Sequence, residues 1–284
     1  MAATILGRPP GISDDDIDVD LPDPSVFVID VSVPPLRSGS MASAVHYIKL
    51  KQIGSQIQRA VYTVAHRNHA PDIPAAWSIL GDLQQWEREI PSEASLEACG
   101  SLPCCSSEWF ELRAVETRLQ LLRALCSGDG EAGQTFMGLL AADAARGCQL
   151  QYVVSEFERL TNRKRMLHLG QPLSTTSLHS AFTCGFNLLY AVFRKPTILP
   201  LKDVFDAVKA ASTTLFTYSQ GDWTSAPLYD VFEELSSICI DRVTQHSFSP
   251  AKPPSDGSAT SEWRKASENA VSNVGESQTN ATRS

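Results

Sequence analysis

Five aspartates fall within seven consecutive positions near the start of the chain: Asp14, Asp15, Asp16, Asp18 and Asp20. Asp14, Asp15 and Asp18 have D-D-x-x-D spacing, in which carboxylates share a magnesium ion and, through it, hold a diphosphate. That chemistry needs the carboxylates to project from a helix into an apolar cavity, opposite a second metal-binding cluster. Here the run lies in a proline-flanked arm, RPPGISDDDIDVDLP, and no N-D-x-x-S-x-x-x-E-like partner follows. A calcium loop fails as well, because Val19 stands where glycine is required and Ser25 where a bidentate glutamate is required. Asp14, Asp16, Asp18 and Asp20 therefore read as a polar structural or regulatory loop, with Ser13 or Asp14 capping a short turn. Asp16 or Asp18 is expected to be held by an arginine or by backbone N–H groups.

The other residue types that could do chemistry do not assemble into a motif. Cys99, Cys104, Cys105 and Cys126 lack C-x-x-C spacing, so a structural zinc site is not expected. The seven cysteines are odd in number and irregular in spacing, which suits buried thiols in a reducing compartment. The histidines at 46, 66, 69, 168, 179 and 246 sit in no recognised nucleophile motif. Neither a G-x-S-x-G nor a phosphate-cradling glycine loop occurs. Catalytic residues, cofactor and metal are all expected to be none, and the chain is expected not to be an enzyme.

A chain of 284 residues with 43% hydrophobic and 20% charged content can bury a substantial core. Its formal net charge of -8 argues against a stand-alone nucleic-acid binder, which needs a basic surface to displace phosphate counterions. No secretory signal is expected, and the longest apolar stretch, the 13 residues Ala181 to Phe193, contains Asn187. A membrane span needs about 20.

The elements that must position these groups follow from apolar periodicity. Residues 1–40 read as an extended acidic arm, with one short strand at Val26 to Val33. The first helix is expected over Met41 to Asn68, with Val45, Ile48, Ile53, Ile57 and Val61 as its core face. The second spans Ala75 to Ile90, with Trp77, Leu80, Leu83 and Trp86 on one side. Glu108 to Cys126 carries the stripe Trp109, Leu112, Val115, Leu119, Leu122 and Cys126, and SGDG then turns the chain. A long helix over residues 134–160 has a small-residue patch at Ala141, Ala142, Ala144 and Ala145. Thr175 to Phe193 is apolar nearly all round and reads as a central buried helix. Two amphipathic helices, Lys202 to Tyr218 and Leu228 to Val243, complete the set. Residues 247–284 are rich in Ser, Asn and Thr and are expected to form a disordered tail. The class is all-α: an irregular bundle of about seven helices over 41–246, with an extended N-terminal arm and an unstructured C-terminal tail.

Several stretches resemble, in order, the C-terminal part of the fungal-specific transcription factor domain, the middle-homology region of the binuclear zinc cluster regulators. GRPPGISDDDIDVDLP (Gly7 to Pro22) is similar to "GRP-x-x-I-x-D-x-D-I-D-x-x-L-P". HYIKLKQIGSQIQRAVY (His46 to Tyr62) resembles "H-x-I-x-L-x-x-I-x-S-x-I-Q-x-x-x-Y". LQQWEREIP (Leu83 to Pro91) resembles "L-x-x-W-x-x-x-I-P", and SSEWFELRAVETRLQLLR (Ser106 to Arg123) a "Y-x-x-x-x-x-L-x-L-x-R" helix. LHSAFTCGFNLLYAVF (Leu178 to Phe193) is similar to "h-x-x-F-x-A-G-h-x-x-L-Y", with h apolar. Asp203 to Leu235 fits the last two helices, including Trp223 and VFEEL.

The resemblance implies an all-helical regulatory domain and a nuclear role in transcription by RNA polymerase II, in a metabolic or secondary-metabolite gene set. The implied partners are other regulators or a homo- or heterodimer partner, with a small-molecule inducer as a possible effector. At the family level DNA binding and zinc belong to a six-cysteine cluster that none of these cysteines supplies, so DNA contact is expected only indirectly. The chain is expected to be a truncated piece of such a regulator or one acting through a DNA-binding partner. Leu140 precedes Ala141-Ala142 where the family often has a cysteine, and Asn162 to Arg165 is a short basic knot suited to nuclear import. Two other readings contrast with this one. One is an all-α terpenoid-type enzyme using Asp14, Asp15 and Asp18; the other is a non-catalytic scaffold.

Overall fold

The computed structural model describes residues 14–24, 27–30, 37–62, 72–91, 106–127, 130–165, 175–221, 226–248 and 256–281. Eight α-helices carry the architecture among these residues: α1 (Met41–Val61), α2 (Ile73–Arg88), α3 (Ser107–Leu125), α4 (Glu131–Arg165), α5 (Thr175–Arg194), α6 (Leu201–Gly221), α7 (Ala226–Phe248) and α8 (Asp256–Ala281). The class is all-α, and the first seven helices are those the periodicity anticipates. A short antiparallel hairpin precedes them. Its strands β1 (Phe27–Asp30) and β2 (Arg37–Ser40) pair Phe27 with Ser40 and Asp30 with Arg37. One strand was expected over Val26 to Val33; the hairpin supplies its partner.

The chain divides into two compact units. The first contains residues 1–124 and 156–165, the second residues 125–155 and 166–284.

In the first unit α1 packs on α2. The buried face of α1 is Val45, His46, Leu50, Ile53 and Ile57. This corrects two members of the expected face. Ile48 is exposed at 38% and Val61 is only half-buried. Successive residues turn about 100° around a helix, so Ile48 points about 140° away from Ile53, whereas Leu50 shares the quadrant of Ile57. The helix ends at Val61, and residues 63–68 of the expected span lie outside the described residues.

Helix α2 starts because Asp72 caps it, accepting a hydrogen bond from the Ala75 backbone N–H at 3.1 Å, with Pro74 in the first turn. Its buried stripe is Ala76, Ile79, Leu83 and Trp86, so Trp77, at 48% exposed, and the half-buried Leu80 fall outside it. Helix α3 begins where Ser106 Oγ accepts from the Trp109 N–H at 3.2 Å. Phe110, Leu112, Ala114, Val115, Leu119, Leu121 and Leu122 are all buried. Burial on nearly every side makes α3 the centre of this unit.

In the second unit α5, α6 and α7 pack pairwise, and α8 lies along α7 and α5. Leu188, Leu189, Ala191 and Val192 of α5 are fully buried, as its all-round apolar character requires. On α4, Ala141, Ala144 and Ala145 are buried but Ala142 is exposed. The segment expected to be a tail without structure is corrected over residues 256–281, which form α8. Polar composition is outweighed there by three buried anchors, Ala259, Trp263 and Ala270. Residues 249–255 and 282–284 of that tail lie outside the described residues.

Candidate functional site

The acidic loop comes first, because it carried the only metal-like spacing. Asp14–Asp16 form one turn of 3-10 helix, closed by the Ile17 N–H donating to the Asp14 carbonyl at 3.2 Å. Asp16, Asp18 and Asp20 are exposed, and the chain after the turn has no regular structure up to residue 23. Among the described residues neither Asp16 nor Asp18 has the arginine or backbone N–H partner expected for it. No three His, Cys, Asp or Glu side chains among the described residues gather to hold a metal ion. Carboxylates open to water keep their hydration and gain little by converging. Asp14, Asp16, Asp18 and Asp20 share a loop and do not converge on a common point.

Buried polar chemistry lies instead in the first unit, where α1, α2 and α3 meet. The His46 ring stacks on Trp86 at 4.2 Å between centroids and 16° between planes. Phe110 meets the same imidazole edge-on at 5.6 Å, and Trp109 meets Phe110 at 5.2 Å. Trp86 Nε1–H donates to the His46 carbonyl at 2.8 Å. Burial, aided by the nearby Lys49 charge and opposed by Glu89, lowers the His46 pKa to about 4. The imidazole is therefore neutral at pH 7, and among the described residues its Nε2 has no hydrogen-bond partner. Packed between rings, it stabilises the junction of three helices by contact and is not positioned to take a proton from a substrate. A half-buried ion pair, Arg118 Nη1 to Glu87 Oε1 at 2.6 Å, ties α3 to α2 beside it. Tyr62 Oη donates to the Gln120 carbonyl at 2.6 Å and ties the end of α1 to α3. Periodicity missed His46, because a count of apolar positions passes over a polar residue in the buried phase.

The second unit holds a different set. Tyr190 Oη donates to the Cys126 carbonyl at 2.8 Å and accepts from Arg194 Nη1 at 2.8 Å. Trp263 of α8 rests on Phe186, Tyr190 and Phe193 of α5, with centroids at 5.2, 5.8 and 5.3 Å. An open cleft of about 400 Å³ is lined by residues 196–201 and Val243, with Thr197 its one polar side chain. Its size suits a small molecule, but among the described residues the few convergent polar groups that fix a ligand's orientation are not there.

No family model, no curated protein and no solved structure matches this chain. The regulatory reading therefore rests on the collinear residues quoted above.

Cys126, Cys148, Cys184 and Cys239 are buried thiols, while Cys99, Cys104 and Cys105 lie outside the described residues. Burial pushes Cys126, Cys148 and Cys239 up to about 12, against a smaller opposing pull from Arg194 at Cys126 and Arg242 at Cys239. The Cys239 thiol donates to the Leu189 carbonyl at 3.5 Å. A thiol held protonated is neither a nucleophile nor a metal ligand. At pH 8 these three thiols of the folded protein should react with a disulfide reagent at least about a hundredfold more slowly than a free thiol. They should become fast in denaturant. Rapid labelling of Cys239 in the folded chain, located by mass spectrometry, would contradict the burial argument.

No helix among the described residues is long and apolar enough to cross a membrane.

Proposed function

We propose that this chain is the regulatory part of a fungal-type transcription regulator. It acts in the nucleus on RNA polymerase II transcription through contacts with other regulators, and reaches DNA through a DNA-binding partner or module. The observation that carries the reading is the collinear order of family-like stretches from Gly7 to Leu235. What supports it further is where those stretches meet. His46, Trp86 and Phe110 come from three separate stretches and pack as one cluster. In the second unit Gly185 of FTCGFNLLY packs against Phe232 of VFEEL. These five residues of the resemblance are thus packing partners within their own units, whereas residues 16–22 of the acidic stretch are exposed. A regulatory role needs such a scaffold, together with surfaces or clefts that partners or effectors can bias.

Two experiments test the reading together. Fused to a heterologous DNA-binding domain, the chain should change expression of a reporter carrying that domain's sites. Deletion of the gene should change the transcript levels of a discrete gene set. A silent reporter together with an unchanged transcriptome on deletion would sink the proposal. Turnover of prenyl diphosphates with magnesium, lost in Asp14→Ala and Asp18→Ala, would replace it with the enzymatic reading.

A further inference from the structure

We propose that Ser267 on helix α8 is a phosphorylation site for a kinase that reads basic residues upstream of its target, and that the phosphate loosens α8 from the α5/α7 groove. The inference goes beyond the regulatory reading and holds whether or not the chain acts in transcription.

Two stretches of the chain qualify by spacing, and the fold separates them. Arg264-Lys265-Ala266-Ser267 and Arg194-Lys195-Pro196-Thr197 each place cations three and two residues before a hydroxyl. A kinase with an acidic substrate cleft selects that pattern by charge pairing, which needs both cations free to leave the protein surface. Arg194 is buried, and its Nη1 donates to Tyr190 Oη at 2.8 Å. Engaging it would break that bond. Arg264 and Lys265 are both exposed, and Ser267 between α8 and its groove is half-buried.

The hydroxyl is held only by its own helix. Ser267 Oγ donates to the carbonyls of Trp263 at 3.0 Å and Arg264 at 2.9 Å. To enter a kinase cleft, this part of α8 must open. Ala259, Trp263 and Ala270 are the buried apolar anchors among its described side chains. An element with few buried contacts opens at low cost relative to the rest of its domain. In the transfer the Ser267 oxygen bonds the γ-phosphorus of ATP, and the bond from that phosphorus to the bridging oxygen breaks. ADP leaves, and the hydroxyl proton passes to the carboxylate base of the kinase.

Helix directions show what the phosphate meets on reclosing. Gly185 packs on Phe232 and the Leu189 carbonyl accepts from Cys239, so α5 and α7 run the same way. Arg242 bonds Glu262 and Glu234 bonds Asn273, so α8 runs opposite to both. Glu262 and Asn273 mark the flank of α8 that faces α7. At about 100° per residue, Ser267 lies about 40° beyond Trp263 on the other flank, toward α5. Trp263 rests on Phe186, Tyr190 and Phe193, so one turn later Ser267 approaches Phe186 and the stacked Phe182. Arg194 is the only Lys or Arg of α5 and sits at its far end. Arg242, the cation of the groove, is on the opposite flank with Glu262. A phosphate carrying nearly two negative charges loses hydration against those rings, while Arg264 and Lys265 draw it toward solvent. Both effects lift α8 from α5, and Trp263 is the anchor that loosens.

The test treats the full chain with ATP, magnesium and the catalytic subunit of cyclic-AMP-dependent kinase, a basophilic serine kinase, and locates phosphate by mass spectrometry. Ser267 should be labelled at least about tenfold faster than Thr197, and Arg264→Ala should slow it by at least about tenfold. Hydrogen exchange of residues 256–281 reads docking. It should quicken about tenfold on phosphorylation and stay at the untreated rate in Ser267→Ala exposed to the same kinase. The site is lost if Ser267 takes no phosphate, if Thr197 outpaces it, or if Arg264→Ala is labelled at the parent's rate. Complete phosphorylation of Ser267 with α8 exchange unchanged would overturn the release.

Discussion

Replacing Gly185 by alanine lowers the stability of the second unit by about 3 kcal/mol, the upper end of what one inserted methyl does in a packed core. A Cβ built at Gly185 would lie 2.5 Å from Phe232 Cε2 and 3.2 Å from both Cδ2 and Cζ. The obstacle is a ring at 1% exposure, so it has no open space into which to swing. Relief requires α5 and α7 to move apart, which loosens the contacts of Leu188, Leu189 and Leu235 around them. For a unit of this size the loss corresponds to a fall in Tm of about 6–10 °C, read by far-UV circular dichroism. Phe232→Leu alone creates a cavity and costs about 1–2 kcal/mol. In the double variant the new methyl occupies part of that space, so the two losses should be less than additive by at least about 1 kcal/mol. A Gly185→Ala protein within 0.5 kcal/mol of the parent, or strict additivity with Phe232→Leu, would show that the helices are not in close contact there.

The fold class and seven of the helices were legible because each of those helices repeats apolar residues over several turns. A repeated signal survives single misassignments. Phase within a helix is less forgiving, and two errors share one cause. Ile48 and Trp77 were placed on buried faces for being large and apolar, although the angles favour Leu50 and Ala76. Helix α8 failed to register for the opposite reason. Its average composition is that of a solvated segment, and its docking depends on a single large side chain, Trp263, meeting three rings from a helix roughly eighty residues earlier. No local window contains that partner. The aspartate loop shows the limit on the side of chemistry. Spacing in D-D-x-x-D suggests a ligand set only when a helix aims the side chains, and a 3-10 turn followed by irregular backbone gathers no three acidic groups among the described residues. His46 required knowledge of which polar residue shares the phase of Leu50 and Ile53. Once that phase is known, its burial follows from the helix geometry alone.

That burial makes the first unit acid-sensitive in a window where few other groups titrate. The His46 pKa is lowered to about 4 in the folded chain, against 6.5 for an unstrained imidazole. Between these values the unfolded chain binds the proton and the folded chain does not, so stability falls as pH falls. The contribution is fully present above pH 6.5, declines through the interval, and loses nothing further below pH 4. Two charges modulate it from neighbouring turns. Lys49 on α1 deepens the depression and Glu89 after α2 partly offsets it, while Trp86 and Phe110 bring no charge. Allowing for solvent screening, the loss between pH 7 and pH 5 is about 1–2 kcal/mol. His46→Phe isolates the effect. It keeps an aromatic ring on Trp86, and the Trp86 indole bonds the backbone carbonyl of residue 46, which the substitution does not touch. Stability from urea unfolding at a series of pH values should fall more steeply towards acid pH for the parent than for the variant. Parallel stability curves for parent and variant from pH 7 to pH 5 would mean that the imidazole is hydrated and the stack on Trp86 open to water.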